Sequence, residues 1–208
     1  MAVSSIVAFE GLNCVGKSSL ARAVAGRLGV SYVKTPPEGA QNERRLFDER
    51  PFSDAAMLYY LSWVKRLSDE AAEGHHGRLV ICDRYVGSTL AYFGAAGNPL
   101  GELLDRFVIQ APLLTVLVTT TEKVRRARLM NRPELRKIEE ATYNKAFRAH
   151  VLMTLRSFAP LAEVDTTKTC VEGLVGPVVD AIDRVLRPST PERAVIHQDC
   201  ACLRIRHT

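Results

Sequence analysis

Two short stretches carry residues whose types and spacing can do phosphate chemistry. In "EGLNCVGKSS" (10–19), Gly11 is followed by four residues and then by Gly16, Lys17 and Ser18. That is the spacing of a phosphate-binding loop. Small residues let backbone N–H groups turn inward around phosphate oxygens, and a helix starting at Lys17 directs its positive end to the same point. Lys17 adds an ammonium for the terminal phosphates, and Ser18 offers a hydroxyl to Mg²⁺. Asn13, Cys14, Val15 and Ser19 complete the loop that would hold a nucleoside triphosphate. The second stretch is "LVICDRYVGSTLAY" (79–92), with Asp83 at the end of an apolar run and Arg84 directly after it. A carboxylate there can hold Mg²⁺, directly or through water, or orient an acceptor oxygen. The guanidinium beside it can bridge two phosphates as charge moves between them. Without the loop, the same pair would read as an ordinary strand-end ion pair.

These residues need elements to position them. "SSIVAFE" (4–10), "VSYVKT" (30–35), "GRLVICD" (77–83), "LLTVLVT" (113–119) and "LAEVDT" (161–166) are short runs rich in apolar residues. They read as solid apolar runs rather than alternating ones, the pattern of a parallel sheet covered on both faces. Between them lie helical patterns: 17–29, 53–74, 98–111, one from about Thr121, 134–158 and 171–186. Ser53 is placed to cap the long helix and Gly74 to end it. The middle of that helix is apolar almost all round, which predicts burial on more than one face. Pro177 is expected to disturb the first turns of the last helix. The fold class is therefore α/β: a P-loop NTPase with a parallel five-stranded sheet flanked by helices on both faces.

Bulk properties narrow the rest. The chain has 208 residues, 47% hydrophobic and 25% charged, which suits one domain with a real core. No apolar run reaches the ~18 residues of a membrane helix. The N-terminus lacks the basic and apolar regions of a leader, so the expected location is the cytoplasm. The 28 Lys and Arg against 23 Asp and Glu give a net charge of +5. The densest basic stretch, 122–137, is mixed with acids and suits small polyphosphates better than a nucleic acid. Five cysteines at irregular spacing read as free thiols. From Pro188 the chain has no clear period, so 1–187 reads as the domain and 188–208 as a poorly ordered tail. The tail's His197, Cys200, Cys202 and His207 match no familiar zinc spacing. No Asn-Lys-x-Asp element of a GTPase is present, and a mechanical ATPase needs a longer chain. Those absences leave a kinase of small molecules.

From about Val3 to about Leu186 the chain resembles the thymidylate kinase family. The resemblance is carried by "FEGLNCVGKSS", "DRYVGSTLAY", the arginines of 125–136 and the "VDTT" that contains Asp165. It implies transfer of phosphate from ATP, with Mg²⁺, to a deoxynucleoside monophosphate. Lys17 and Ser18 would then hold ATP and the metal, with Asp83 and Arg84 at the reacting phosphates. Tyr92 would crowd the sugar's 2′ position beside Ser88, and Tyr59 would either stack on the acceptor base or pack as helix core. Tyr60 reads as core. A lid would span about 125–137, with Arg128 and Arg132 packing on the adenine or closing over the transferred phosphate, and Arg125 and Arg126 facing solvent. Asp165 and Thr166 would line the adenine edge, mostly through backbone. Pairing through the long helices makes a homodimer compatible with the resemblance.

The departures from that family lie on the acceptor side. Thr35, Pro36 and Pro37 stand where an Arg-Glu-Pro segment is usual, and Asn13 where an acid is common. Trp63 stands at the place of a base-reading arginine, and Phe93 at that of a glutamine. Stacking is kept while polar readout is lost, so a pyrimidine acceptor is expected without strict selection of thymine. Arg44 or Arg45 is either an acceptor-phosphate ligand or a surface charge. The alternatives are a deoxynucleoside kinase, in which Asp83 acts closer to a general base, and a nucleotide-binding regulatory protein without turnover.

Overall fold

A computed structural model describes residues 5–97, 107–132 and 136–187. Five strands form one sheet: β1 (Ser5–Glu10), β2 (Ser31–Lys34), β3 (Leu79–Asp83), β4 (Leu114–Thr119) and β5 (Leu161–Asp165). Their order is β2-β3-β1-β4-β5, and every neighbouring pair is parallel. Strand β1 is central, and its register sets Phe9 beside Asp83 on one flank and Glu10 beside Leu117 on the other. The end of β1 and the end of β3 therefore emerge side by side at the carboxyl edge of the sheet. That edge is where open α/β sheets hold their ligands.

Side chains of β1 alternate between two cores. Val7 and Phe9 join Leu20 and Val24 of α1 (Lys17–Leu28), together with Val178 and Ile182 of a late helix. Ile6 and Ala8 join Val64, Leu67 and Ala71 of α3 (Asp54–Ala72). Both faces are covered, as the apolar strands require. The described helices are, besides α1 and α3, α2 (Gln41–Asp48), α4 (Val86–Ala95), α5 (Glu122–Met130), α6 (Lys137–Glu140), α7 (Lys145–Arg156) and α8 (Val171–Leu186).

Four expectations change. Helix α3 begins as expected, with Ser53 Oγ accepting from the Ala56 N–H at 3.2 Å. It buries one stripe only, Ala56, Met57, Leu61, Val64, Leu67, Ser68 and Ala71, and leaves Leu58 exposed. The single helix expected over 134–158 is broken. Residues 133–135 lie outside the described residues, and α6 is followed by a 3-10 turn (Ala141–Tyr143) before α7 starts. The break is local chemistry: Asn144 Oδ1 accepts from the Ala146 and Phe147 N–H groups and starts a new helix. Of the helix expected over 98–111, residues 98–106 lie outside the described residues, and the described part from Phe107 is not helical. Pro177 sits inside α8, which is continuous around it. The proposed tail, 188–208, and the cysteine and histidine positions in it lie outside the described residues. No helix among the described residues is long and apolar enough to cross a membrane.

Candidate active site

The loop between β1 and α1 is shaped by its backbone. Gly11 has φ +139 and Gly16 +96, and a side chain at Gly11 would collide with the Val118 carbonyl. Cys14 also has a positive φ of 64, a conformation that costs a non-glycine residue energy and is tolerated where the surroundings over-determine it. Val15 is buried in the core and contributes only backbone to the loop's interior side. Lys17 is the first residue of α1 and is buried, its Nζ donating to the Leu12 carbonyl at 2.6 Å. Burial, followed by the nearby Arg84 charge, pushes its pKa down to about 7.

Asp83 and Arg84 stand next to this loop. Ser18 Oγ donates to Asp83 Oδ2 at 2.5 Å, and the Tyr32 hydroxyl donates to the same oxygen at 3.1 Å. Burial opposes the charge on Asp83, but Lys17, Ser18 and Arg84 outweigh it and hold its pKa below the usual value. Arg84 has a left-handed φ of 70. Its N–H donates to the Phe9 carbonyl at 3.0 Å, and its own carbonyl accepts from Thr35 Oγ1 and from Cys82 Sγ. Its guanidinium donates to the Gly11 carbonyl, to Ser88 Oγ at 2.8 Å and to Asn13 Oδ1.

Glu10, which sequence reading left without a role, organises the same corner. It is fully buried at the end of β1. Its Oε1 accepts from the Tyr85 N–H at 3.0 Å and the Ser88 N–H at 2.9 Å, and its Oε2 accepts from the Ser88 hydroxyl. It therefore caps α4 from another strand, giving the helix's positive end a carboxylate. Burial raises its pKa. A side chain at Gly87 would press within 2.9 Å of Glu10 Oε1. Ser88 thus links Glu10 to Arg84. Its signal in the sequence was the charged residue closing an otherwise apolar strand.

Around these residues lies a cleft of about 1120 Å³. Lys17, Lys34, Arg44, Arg45, Arg84, Arg128, Arg132, Arg136 and Lys137 border it, with Asn13, Cys14, Ser18 and Ser19. Such a concentration of cations selects a polyanion. Arg128 is tied to the cleft wall, donating to Thr166 Oγ1 at 3.0 Å and the Thr166 carbonyl at 3.1 Å. Thr166 Oγ1 in turn donates to the Val15 carbonyl at 2.7 Å. Arg132 and Arg136 converge on the buried Glu139 at 2.5 and 2.8 Å. Burial opposes the charge of Glu139, and Arg136 outweighs it, so its pKa lies below the usual value.

The family model for thymidylate kinase matches residues 9–172. This chain belongs to the thymidylate kinase family. A thymidylate kinase from Staphylococcus epidermidis is 30% identical over 166 residues, covering 72% of this chain and 81% of that protein. A probable thymidylate kinase from Pyrobaculum calidifontis is 29% identical over 184 residues, covering 84% and 86%. Among solved structures, thymidylate kinase from Candida albicans superposes with a TM-score of 0.63 at 18% identity, over 88% of this chain and 92% of that one. Deoxyadenosine kinase from M. mycoides gives 0.65 at 13% identity, over 86% and 98%. As a family member the chain is a nucleotide kinase, a phosphotransferase acting on nucleoside monophosphates, and its P-loop fold is shared by these neighbours.

Opening beside Arg84, this thymidylate kinase relative has a second, narrow pocket of about 40 Å³. Asn13, Thr35, Arg44 and Arg84 line both cavities, so they form the junction. Tyr60, Val64, Tyr85, Ser88, Thr89, Tyr92, Phe93 and Ile138 line this pocket alone. The Tyr92 hydroxyl is buried beside Arg84 without a hydrogen bond of normal geometry.

Five expected positions need correction. The Tyr59 ring stacks on Phe47 with centroids 4.3 Å apart, and its hydroxyl donates to the Ala40 carbonyl, so its face is occupied. Neither Tyr59 nor Trp63 borders either cavity, and Trp63 lies under Arg66. Tyr60, read as core, is the aromatic ring of α3 that lines the pocket. Asp165 is exposed and its Oδ1 accepts from Thr167, so it shapes a turn instead of bordering the cleft. Arg125, expected to face solvent, is 1% exposed and bonds Glu122 and Thr142, whereas Arg126 is half exposed. Glu122 is held down to about 2, burial being outweighed by Arg125 and Arg126.

Proposed function

We propose that this chain transfers the γ-phosphoryl group of ATP to the phosphate of a pyrimidine deoxynucleoside monophosphate. One observation carries the reading: Arg84 lies at the junction of a large cationic cleft and a narrow pocket rich in aromatic and apolar side chains. The triphosphate takes the loop at residues 11–18, with Lys17 on its terminal phosphates. Arg128, fastened to Thr166, borders the nucleoside side, and Arg132 closes over the transferred group. The acceptor's base enters beside Tyr60 and its phosphate meets Arg84 and Arg44. The sugar lies by Tyr92, whose buried hydroxyl is costly to leave unpaired, about 1–3 kcal/mol.

The donor set fits Mg²⁺. Ser18 Oγ and Asp83 supply adjacent hard oxygen donors. Mg²⁺ keeps waters and substrate oxygens as most of its ligands, so two protein donors suffice. When bound, it neutralises phosphate charge. The protein's own share is alignment and fixed charge, with no covalent intermediate. Arg84 is preset by three side-chain hydrogen bonds and a fixed backbone, so it does not reorganise as charge moves to the bridging oxygen.

The test is ADP release from ATP and Mg²⁺ with a panel of pyrimidine and purine deoxynucleoside monophosphates and the matching nucleosides. Turnover with pyrimidine monophosphates supports the reading. Turnover with nucleosides alone makes the chain a deoxynucleoside kinase, and no turnover with any acceptor makes it a nucleotide-binding regulator.

A further inference from the structure

We infer that the acceptor pocket does not distinguish a 4-oxo from a 4-amino pyrimidine, so that thymidylate, deoxyuridylate and deoxycytidylate are all substrates. The inference rests on the proposed function and concerns the base recognised at that site. Its ground is the polar inventory of the pocket. The charged and amide groups, Arg44, Arg84 and Asn13, sit at the junction with the cationic cleft. They are also engaged there: Arg84 with Asn13 and Ser88, and Arg44 with Tyr60. Beyond the junction the only heteroatoms on side chains of the described lining residues are hydroxyls.

Three of those hydroxyls are committed to the protein. Tyr60 donates to Asp48 at 2.8 Å, Tyr85 donates to the Gln110 carbonyl at 3.0 Å, and Ser88 donates to Glu10 while accepting from Arg84. Two remain uncommitted. The Tyr92 hydroxyl, on a residue 3% exposed, lies beside Arg84 and so toward the phosphate end of the pocket. The Thr89 hydroxyl makes no hydrogen bond among the described residues, and Thr89 lines this pocket but not the cationic cleft. A hydroxyl donates to a carbonyl oxygen as readily as it accepts from an amino group. A guanidinium or a carboxylate cannot serve both. Val64, Phe93 and Ile138 add only shape, and apolar walls discriminate weakly, by about 10–200-fold. A reader that offers both a donor and an acceptor through one rotating O–H therefore serves both edges.

The experiment compares kcat/KM for dTMP, dUMP and dCMP with the full chain at saturating ATP and Mg²⁺. The expected spread is under about a hundred-fold; a larger one overturns the inference, because fixed donors reject the wrong partner by ~10⁴-fold or more. Thr89→Val, nearly isosteric, is measured alongside, with circular dichroism to confirm the fold. It should lower kcat/KM for dTMP and dCMP by a similar factor of about two- to ten-fold. A loss confined to one base, or none for either, overturns the assignment of Thr89. Phosphorylation of nucleosides but of no monophosphate would sink the proposed function and this inference together. A strict choice among monophosphates sinks the inference alone.

Discussion

The two sides of the cleft are built by different means. The donor side is backbone work: a loop between the central strand and α1, with two glycines at positive φ, one of them where no side chain fits, and one lysine at the start of the helix. The acceptor side is side-chain work. Its walls come from residue 13, residue 35, α2, α3, the β3–α4 corner, α4 and α6. A backbone cradle accepts little change because its geometry is encoded in few residues. A side-chain wall can change its ligand by exchanging one residue at a time, and Asn13, Thr35 and Phe93, three of the positions set apart in the sequence, line it. Arg84 belongs to both, and Glu10 and Ser88 hold it in place for both.

Changes at the shared centre should have the largest effects. Lys17→Ala and Arg84→Ala should each lower kcat by about 100- to 1000-fold with an unchanged circular dichroism spectrum. Near-normal rates in either variant would refute the assignment. Tyr60→Ala should raise the acceptor KM by about five- to fifty-fold, as loss of a stacking face does, with the ATP KM unmoved. Parallel changes in both constants would show that the two sides are not separate.

Protonation probes the donor side alone. Lys17 has its pKa lowered to about 7 by burial and by Arg84, and a bound triphosphate favours its charged form. Raising the pH through that value removes the ammonium from the free protein, so ATP binding must then take up a proton. Affinity should fall by about ten-fold between pH 7 and 8.5, and calorimetry in buffers of different ionisation enthalpy should record proton uptake at the higher pH. Tighter binding at the higher pH would contradict the placement of Lys17. The smallest effect is expected at Tyr59→Phe, which loses a hydroxyl bonded to the Ala40 carbonyl and should leave both KM values within about two-fold, a bond of this kind being worth ~1 kcal/mol to the fold. A marked rise in acceptor KM would restore Tyr59 to the pocket.

Much of the donor side was legible in the sequence. The spacing of Gly11, Gly16, Lys17 and Ser18 is local, and five apolar runs sufficed for the parallel sheet. The adjacency of Asp83 to that loop followed from two strands ending together. The acceptor side was less legible because neighbouring helix positions differ by about 100° in direction. Tyr59 and Tyr60 are alike in chemistry, and only the partners, Phe47 for one and the pocket for the other, separate them. Arg125 misled for a related reason. A buried arginine needs partners, and one of them, Thr142, lies 17 residues away. The break between α6 and α7 was marked by Asn144, a good cap, which the helical periodicity on either side concealed.

Glu10 extends from β1, a strand hydrogen-bonded on both flanks, and its carboxylate receives the Tyr85 and Ser88 amides. Deuterium should therefore enter those two amides about as slowly as it enters the middle of the sheet, because releasing them means opening the most protected layer. Warming should not produce a loosened, half-working form; catalysis and tertiary structure should vanish at one temperature.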